Sequence, residues 1–191
     1  MRRLPDVRSW LLLILTGWVG AAVASEVLPA RGTVEVAFSP ADEPEKLLLR
    51  VIGSARDNLH VQAYAFTSKP VANALVAAHR RGVKVEVLAD ARMNARESGN
   101  VIPLLLAAGV PVAYETAYSA AHNKVIVADA DGPGCVVATG SYNFTWSAEH
   151  RNAENLIVLR DNCPLAQRYR ANWLRHRSAA TPVHRLPFVS R

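Results

Sequence analysis

The sequence predicts one α/β domain built on a mixed, largely parallel β-sheet flanked by helices on both faces. Three observations predict it. In the first half, short β-rich runs alternate with helical segments, the pattern of parallel strands joined by crossovers. In the second half the strands come closer together and are joined by turns. No Pro/Gly/Ser-rich linker divides the 191 residues, a length that suits a single domain.

Residues 34–38 (Val-Glu-Val-Ala-Phe) alternate and read as a strand. Residues 43–55 read as a helix and 58–66 as a second strand. Pro70 opens a helix whose apolar face is Val71, Ala74, Leu75 and Ala78. Arg80 and Arg81 suit its C-terminus, and Gly82 suits the left-handed residue that closes it. Residues 83–89 are a third strand, 99–108 a helix ended by Gly109, and 110–114 a short strand. Residues 122–128 and 135–139 are strands separated by an Asp-Ala-Asp-Gly-Pro-Gly turn at 129–134. A short helix near 144–150, a strand at 154–160 and an amphipathic helix at 164–177 follow. From Ser178 onward, Pro182 and Pro187 suggest a loosely ordered tail.

Half of the chain is hydrophobic and 20% is charged. That balance is globular, and argues against a disordered or fibrous chain. Two cysteines are too few for a disulfide-stapled miniprotein or a four-cysteine zinc site. Residues 1–24 carry Arg2, Arg3 and Arg8, an apolar run from Trp10 to Val23, and Ala22-Val23-Ala24 before Ser25. This is the three-part pattern of a secretory signal peptide. The rival reading is a retained anchor, but a run of about 14 residues falls short of the ~20 needed to span a bilayer. The expected mature chain is 25–191, with export to the periplasm or the medium. Its charge is about +4, the +6 of the whole chain less the +2 carried by Arg2, Arg3, Arg8 and Asp6. So mild an excess suits a polyanionic substrate without identifying one.

The chemistry concentrates between His122 and Asn155. His122 and Lys124 lie two apart on a strand, so they share a face about 7 Å apart. An imidazole beside an ammonium suits an oxyanion: the lysine holds charge, and the histidine attacks or moves a proton. Asp129 lies seven residues from His122, on the opposite face and roughly 20 Å along, so it reads as a structural residue at the strand end. The return strand leads to Gly140-Ser141-Tyr142-Asn143. There Gly140 permits close backbone approach to a ligand, while Ser141 and Asn143 offer donors. Glu154 begins the next strand at the same end and is placed to accept the Nδ1–H of His122 and fix its tautomer. Together these residues surround one anion, most simply a phosphate.

His122-x-Lys124-x4-Asp129, followed by Gly140-Ser141-x-Asn143 and Asn152-x-Glu154-Asn155, resembles the phospholipase D superfamily. It is most similar to the small secreted bacterial endonucleases of that superfamily. The resemblance extends to residues 36–40, 63–68 and 80–83, and spans nearly all of the expected mature chain. One departure is a somewhat longer turn after Asp129, at the end far from His122. The resemblance implies the phospholipase D-like fold and a metal-independent phosphodiester hydrolase. Members use two motif copies per site, and this chain has one. A homodimer with both His122 side chains facing one phosphodiester is therefore implied. One His122 attacks phosphorus to form a phosphohistidine, and the other protonates the leaving oxygen. Lys124 and Asn143 hold the non-bridging oxygens, Ser141 assists, and Glu154 orients His122. Paired histidines in opposite protonation states imply a bell-shaped pH profile.

No H-x-x-x-H or H-E-x-x-H spacing occurs, and neither a metal nor a cofactor is expected. His60, His79, His150, His176 and His184 read as structural or surface residues. Asp90 and Arg92 read as cap or loop residues rather than substrate ligands. Trp146 reads as a packing residue before a base-stacking one. Arg80, Arg81 and Lys84, like Arg168, Arg170, Arg175 and Arg177, read as solvated helix-end charges. Cys135 and Cys163 fall at one end of neighbouring elements, and in an oxidising compartment a disulfide and two free thiols are both open. Nucleic acid is the first substrate class, with nonspecific endonuclease action on DNA and/or RNA. The alternative is phospholipase D-type hydrolysis or transfer on phospholipids, phosphatidylcholine to phosphatidic acid. A nucleic-acid-binding module that has lost catalysis is a third class, disfavoured by the complete His122, Lys124, Asn143 and Glu154 set.

Overall fold

The computed structural model describes residues 25–95 and 99–184. The expected signal peptide at 1–24 and the end of the tail at 185–191 lie outside the described residues. The elements run β1 (Thr33–Ser39), α1 (Pro44–Ser54), β2 (Asn58–Ala63), α2 (Lys69–Arg80), β3 (Lys84–Asp90), α3 (Ala91–Asn94), α4 (Ile102–Ala107) and β4 (Val112–Glu115). Then come β5 (Lys124–Ala128), β6 (Val136–Gly140), α5 (Trp146–His150), β7 (Glu154–Arg160), α6 (Cys163–Ala179) and β8 (Thr181–Val183).

The eight strands form one sheet in the order β1-β7-β6-β5-β2-β3-β4-β8. The mixed α/β sheet agrees with expectation, but its parallel share is smaller. Among the strand pairs of the described residues, β2/β3 and β3/β4 are parallel and the other five are antiparallel. The cause is connectivity. Helical crossovers place β2, β3 and β4 side by side in one direction, whereas the turn at 129–135 after β5 and the link at 141–153 after β6, which carries α5, return the chain antiparallel. The first strand is not beside β2: β1 lies at the far edge and pairs antiparallel with β7.

Helices cover both faces. Leu47, Leu48, Val51 and Ile52 of α1 and Val71, Leu75 and Val76 of α2 pack on Val61, Val85, Val87, Ile126 and Ala138. Across the sheet, Ala166 of α6 meets Val125, Val127 and Val137, and Trp173 meets Leu88 and Ala113. The Trp173 indole N–H donates to the Val61 carbonyl (3.0 Å) and its ring lies 4.6 Å from that of His60. Two helix ends follow directly from sequence. Ser68 caps α2 by accepting from Val71 N (3.2 Å). Gly82 closes the same helix at φ +94° while Val83 N donates to Ala78 O (3.1 Å).

Over residues 178–184 the chain forms regular structure where a loose tail was expected. The helix continues to Ala179, and Thr181–Val183 pairs antiparallel with β4. Pro182 is accommodated because β8 is an edge strand, where one side needs no N–H donor. Cys135 and Cys163 form a disulfide with Cα atoms 5.4 Å apart, tying β6 to the start of α6 across 28 residues. Closing a loop of that length is worth about 3 to 4 kcal/mol in the chain-entropy account.

Candidate active site

The site lies where β5 begins beside the end of β2. Ala63 is in register with Lys124, and Tyr64 N donates to Asn123 O (3.0 Å). That pairing aims His122 and Lys124 at one sheet edge. Lys124 is 5% exposed, whereas His122 is exposed. The Lys124 ammonium lies 2.9 Å from His122 Nδ1 and 3.1 Å from Nε2, donates to the His122 carbonyl (2.7 Å), and sits 4.7 Å over the Tyr64 ring. The imidazole packs on Tyr64 with centroids 4.2 Å apart. The ammonium thus sits against both ring nitrogens, whose donor and acceptor roles follow the tautomer. Burial lowers the Lys124 pKa, and the Glu154 charge acts in the opposite direction.

The loop at 140–143 follows from the end of β6. A Cβ on Gly140 would lie 2.2 Å from the Asn155 carbonyl oxygen, so only glycine fits there. Ser141 N and Tyr142 N both donate to that oxygen (3.1 and 3.2 Å). Ser141 Oγ accepts from Asn155 N (3.0 Å) and Nδ2 (3.2 Å). Ser141 is thus held by the strand beside it. The Asn143 side-chain oxygen is buried with no partner among the described residues. The buried Tyr142 hydroxyl donates to Glu149 (2.8 Å), and burial, then Glu149, raises the Tyr142 pKa. Glu149 also accepts from Glu45 N (3.0 Å), which fastens the loop to α1.

Glu154 lies at the same edge, as expected, but does not meet His122 within one chain. Its carboxylate accepts from Asn152 Nδ2 (2.9 Å), while His122 Nδ1 faces Lys124. The reason is topological: β7 lies two strands from β5, or about 10 Å. Asp129 is at the opposite end, as its spacing predicts. Its carboxylate accepts from the backbone N–H groups of Arg56 (2.9 Å), Asp57 (2.8 Å) and Asn58 (2.9 Å), binding β5 to the α1–β2 turn.

Several supports are not visible as motifs. Asp90, 2% exposed, accepts from Met93 N (2.9 Å) and from Ala121 N (2.8 Å), the residue before His122. Arg92 donates to Ser119 O (3.2 Å). Both therefore act on the loop leading to His122. Asn94 donates to Tyr64 O (2.6 Å) and accepts from Phe66 N (3.0 Å), securing the end of β2. An Asp at the end of a strand, capping the helix that follows, is the signal that locates Asp90, whereas Asn94 ends α3 with no such signal, and the long-range partners of both are not local information. Among the described residues no three His, Cys, Asp or Glu side chains converge as a metal site, and no helix is long and apolar enough to cross a membrane.

Residues 48–177 match the family described as cardiolipin synthase, PLD-like domain. The chain is 36% identical over 155 residues to a phospholipase D of Rickettsia prowazekii, covering 81% of this chain and 73% of that one. It is 35% identical over 116 residues to the mitochondrial cardiolipin hydrolase of Xenopus laevis, covering 61% and 52%. Its fold matches the crystal structure of Nuc from Salmonella typhimurium, a phospholipase D family member, with TM-score 0.74 and 31% identity over 80% of this chain and 99% of that one. NucT from Helicobacter pylori shares the fold at TM-score 0.70 and 21% identity. The paired His122 and Lys124, the glycine-gated loop and these relatives agree, and the chain belongs to the phospholipase D superfamily of phosphodiester hydrolases.

Proposed function

We propose that the protein is a metal-independent endonuclease that works through a phosphohistidine at a site shared by two copies of the chain. The observation that carries this reading is the ammonium of Lys124 against the imidazole of an exposed His122. Nδ1 or Nε2 attacks phosphorus, the P–O bond to the leaving alcohol breaks, and the partner's protonated His122 gives that oxygen its proton. Water then cleaves the P–N bond and returns both histidines to their starting states. Lys124 and Asn143 stabilise the charge on the non-bridging oxygens. Glu154, out of reach of its own His122, orients the histidine of the second copy.

Val34, Val36 and Phe38 support the second copy. They form a stripe on the edge strand β1, 62%, 51% and 53% exposed. Phe38 is in register with Asn155, which braces the phosphate loop. A stripe of three large apolar side chains ending beside a site marks a surface for a partner. Val36→Asp with Phe38→Asp is expected to turn a dimer into a folded monomer with at least about tenfold lower activity. Sedimentation and circular dichroism check it, and a fully active monomer would overturn the shared site.

Plasmid nicking by the purified protein in excess EDTA tests the reading: nicking is expected and should survive the chelator. The second reading, phospholipid hydrolysis, is favoured by the relatives named phospholipase D and cardiolipin hydrolase. Release of phosphatidic acid from phosphatidylcholine or cardiolipin vesicles, with plasmid left intact, would establish it instead. The disulfide supports action after export, in an oxidising compartment.

The pH dependence of substrate binding has a definite sign. Lys124 holds phosphate only when protonated, and burial lowers its pKa. Binding is therefore lost, as pH rises, earlier than a free lysine would require. In Lys124→Arg the guanidinium stays charged. The variant is expected to lose that alkaline limb in a plot of 1/KM against pH, even if its kcat is lower.

A further inference from the structure

Beside the reaction centre the surface carries a large aromatic side chain that the chemistry leaves unused. Trp146 opens α5 three residues after Asn143, so it lies at most about 11 Å from it along the chain. Its indole is 55% exposed. The backbone beneath it is fixed: Thr67 N and Ser68 N donate to Phe144 O (2.9 and 2.8 Å), and the Phe66 and Phe144 rings pack edge to face. The Arg151 guanidinium lies 4.9 Å over the indole, and the His150 ring is 4.9 Å away. Trp146 walls a cavity of about 380 Å3 that Thr67, Lys69, Pro70 and His150 also line.

Glu45 and Glu149 reach the same cavity, but their carboxylates are engaged within the fold by Ser68 Oγ and by Tyr142 OH. Among the described residues, the exposed basic side chains around the indole are Lys69, His150 and Arg151. An open indole among cations fits a flat π-system that carries negative charge on either side. A nucleobase between two phosphates has that form. An acyl chain has no use for the cations.

We propose that Trp146, with Lys69 and Arg151, is a stacking platform for an unpaired base next to the scissile phosphate, and that it biases the enzyme toward single-stranded nucleic acid. The inference rests on the nuclease reading and adds a substrate preference to it. A duplex keeps its bases stacked on each other and cannot offer one to Trp146 without unstacking it.

The test uses the full chain and two single-stranded oligonucleotides. Each has one cleavable phosphodiester, the linkage on the other side of the tested position being a charged, cleavage-resistant phosphorothioate and the rest methylphosphonates. One carries thymine beside the cleavable bond, and the other an abasic sugar. For wild type, KM should be about tenfold lower on the thymine substrate. Trp146→Ala should raise that KM about tenfold, leave kcat within about twofold and erase the difference between the substrates. Trp146→Phe should restore most of it. Equal KM values for the two substrates on wild type, or an unchanged KM in Trp146→Ala, would overturn the platform while leaving the nuclease intact. A Trp146→Ala chain that is monomeric where wild type is dimeric would overturn it too, placing the indole on the subunit interface. If wild type cleaves neither oligonucleotide but hydrolyses phosphatidylcholine vesicles, the nuclease reading falls, and the platform with it.

Discussion

Replacing His122 with alanine is expected to lower kcat by a factor on the order of 10^4 or more, with the fold unchanged. In the proposed mechanism each site loses both its nucleophile and its general acid. A factor of 10^4 corresponds to about 5.5 kcal/mol of transition-state stabilisation. The fold should survive because His122 is exposed, with its ring against Lys124 and Tyr64. By comparison, Asn143→Ala should cost only about 10^2- to 10^3-fold, since it removes one stabilising donor and leaves the covalent route intact. Mixing subunits makes the test sharper. If both His122 side chains serve one phosphodiester, the activity of exchanged wild-type and His122→Ala mixtures should fall as the square of the wild-type fraction. A linear fall would assign each site to one chain. Plasmid nicking and a circular dichroism spectrum suffice to measure both.

Asp129→Ala is expected to show the opposite pattern, with a large loss of stability and an unchanged site. The carboxylate is 4% exposed and accepts three backbone N–H groups at 2.8 to 2.9 Å. Hydrogen bonds to a charged group contribute about 1.5 to 3 kcal/mol each, and removal strands the donors. Three in one network, which are not additive, point to a cost of about 3 to 5 kcal/mol. In a domain whose whole stability is about 5 to 15 kcal/mol that is severe. The thermal midpoint should fall by about 10 °C or more. Below that midpoint kcat should match wild type, because β5 places roughly 17 Å of strand between Asp129 and the Lys124 end. Asp129→Asn, which keeps one acceptor oxygen, should fall between. A variant with normal stability and lost turnover would make Asp129 a participant in the chemistry instead.

These two residues belong to the same short motif and lie at opposite ends of one strand, and that separation was legible from spacing. The expected strand over 122–128 begins only at Lys124, so His122 stands just before β5 and Asp129 just after it, and it is this separation along the chain that spacing foretold rather than a shared strand face. The same local logic located Gly140 and Ser141 at the end of a return strand. Glu154 shows where it stops working. Its position at the correct sheet edge was readable, but its distance from His122 depends on β6 lying between their strands. Asn155 was readable as part of a motif, while its grip on Ser141 was not.

The sequence by itself determined most of the elements, with α3 and β8 the exceptions, their order, and the residues that gather at one edge of the sheet. Periodicity, capping residues and turn residues are local signals, and each is written within a dozen residues. Only the tertiary structure decided which strands are neighbours. It sent β1 to the far edge beside β7, made most of the sheet antiparallel and added β8 from a segment that reads as a tail. It also recruited Asp90, Asn94 and Glu149 to hold the loops around the site. The physical reason is that strand pairing and buried polar contacts are settled by long-range packing on both faces of the sheet. A strand's own alternation states that it has two faces, without stating what will cover them.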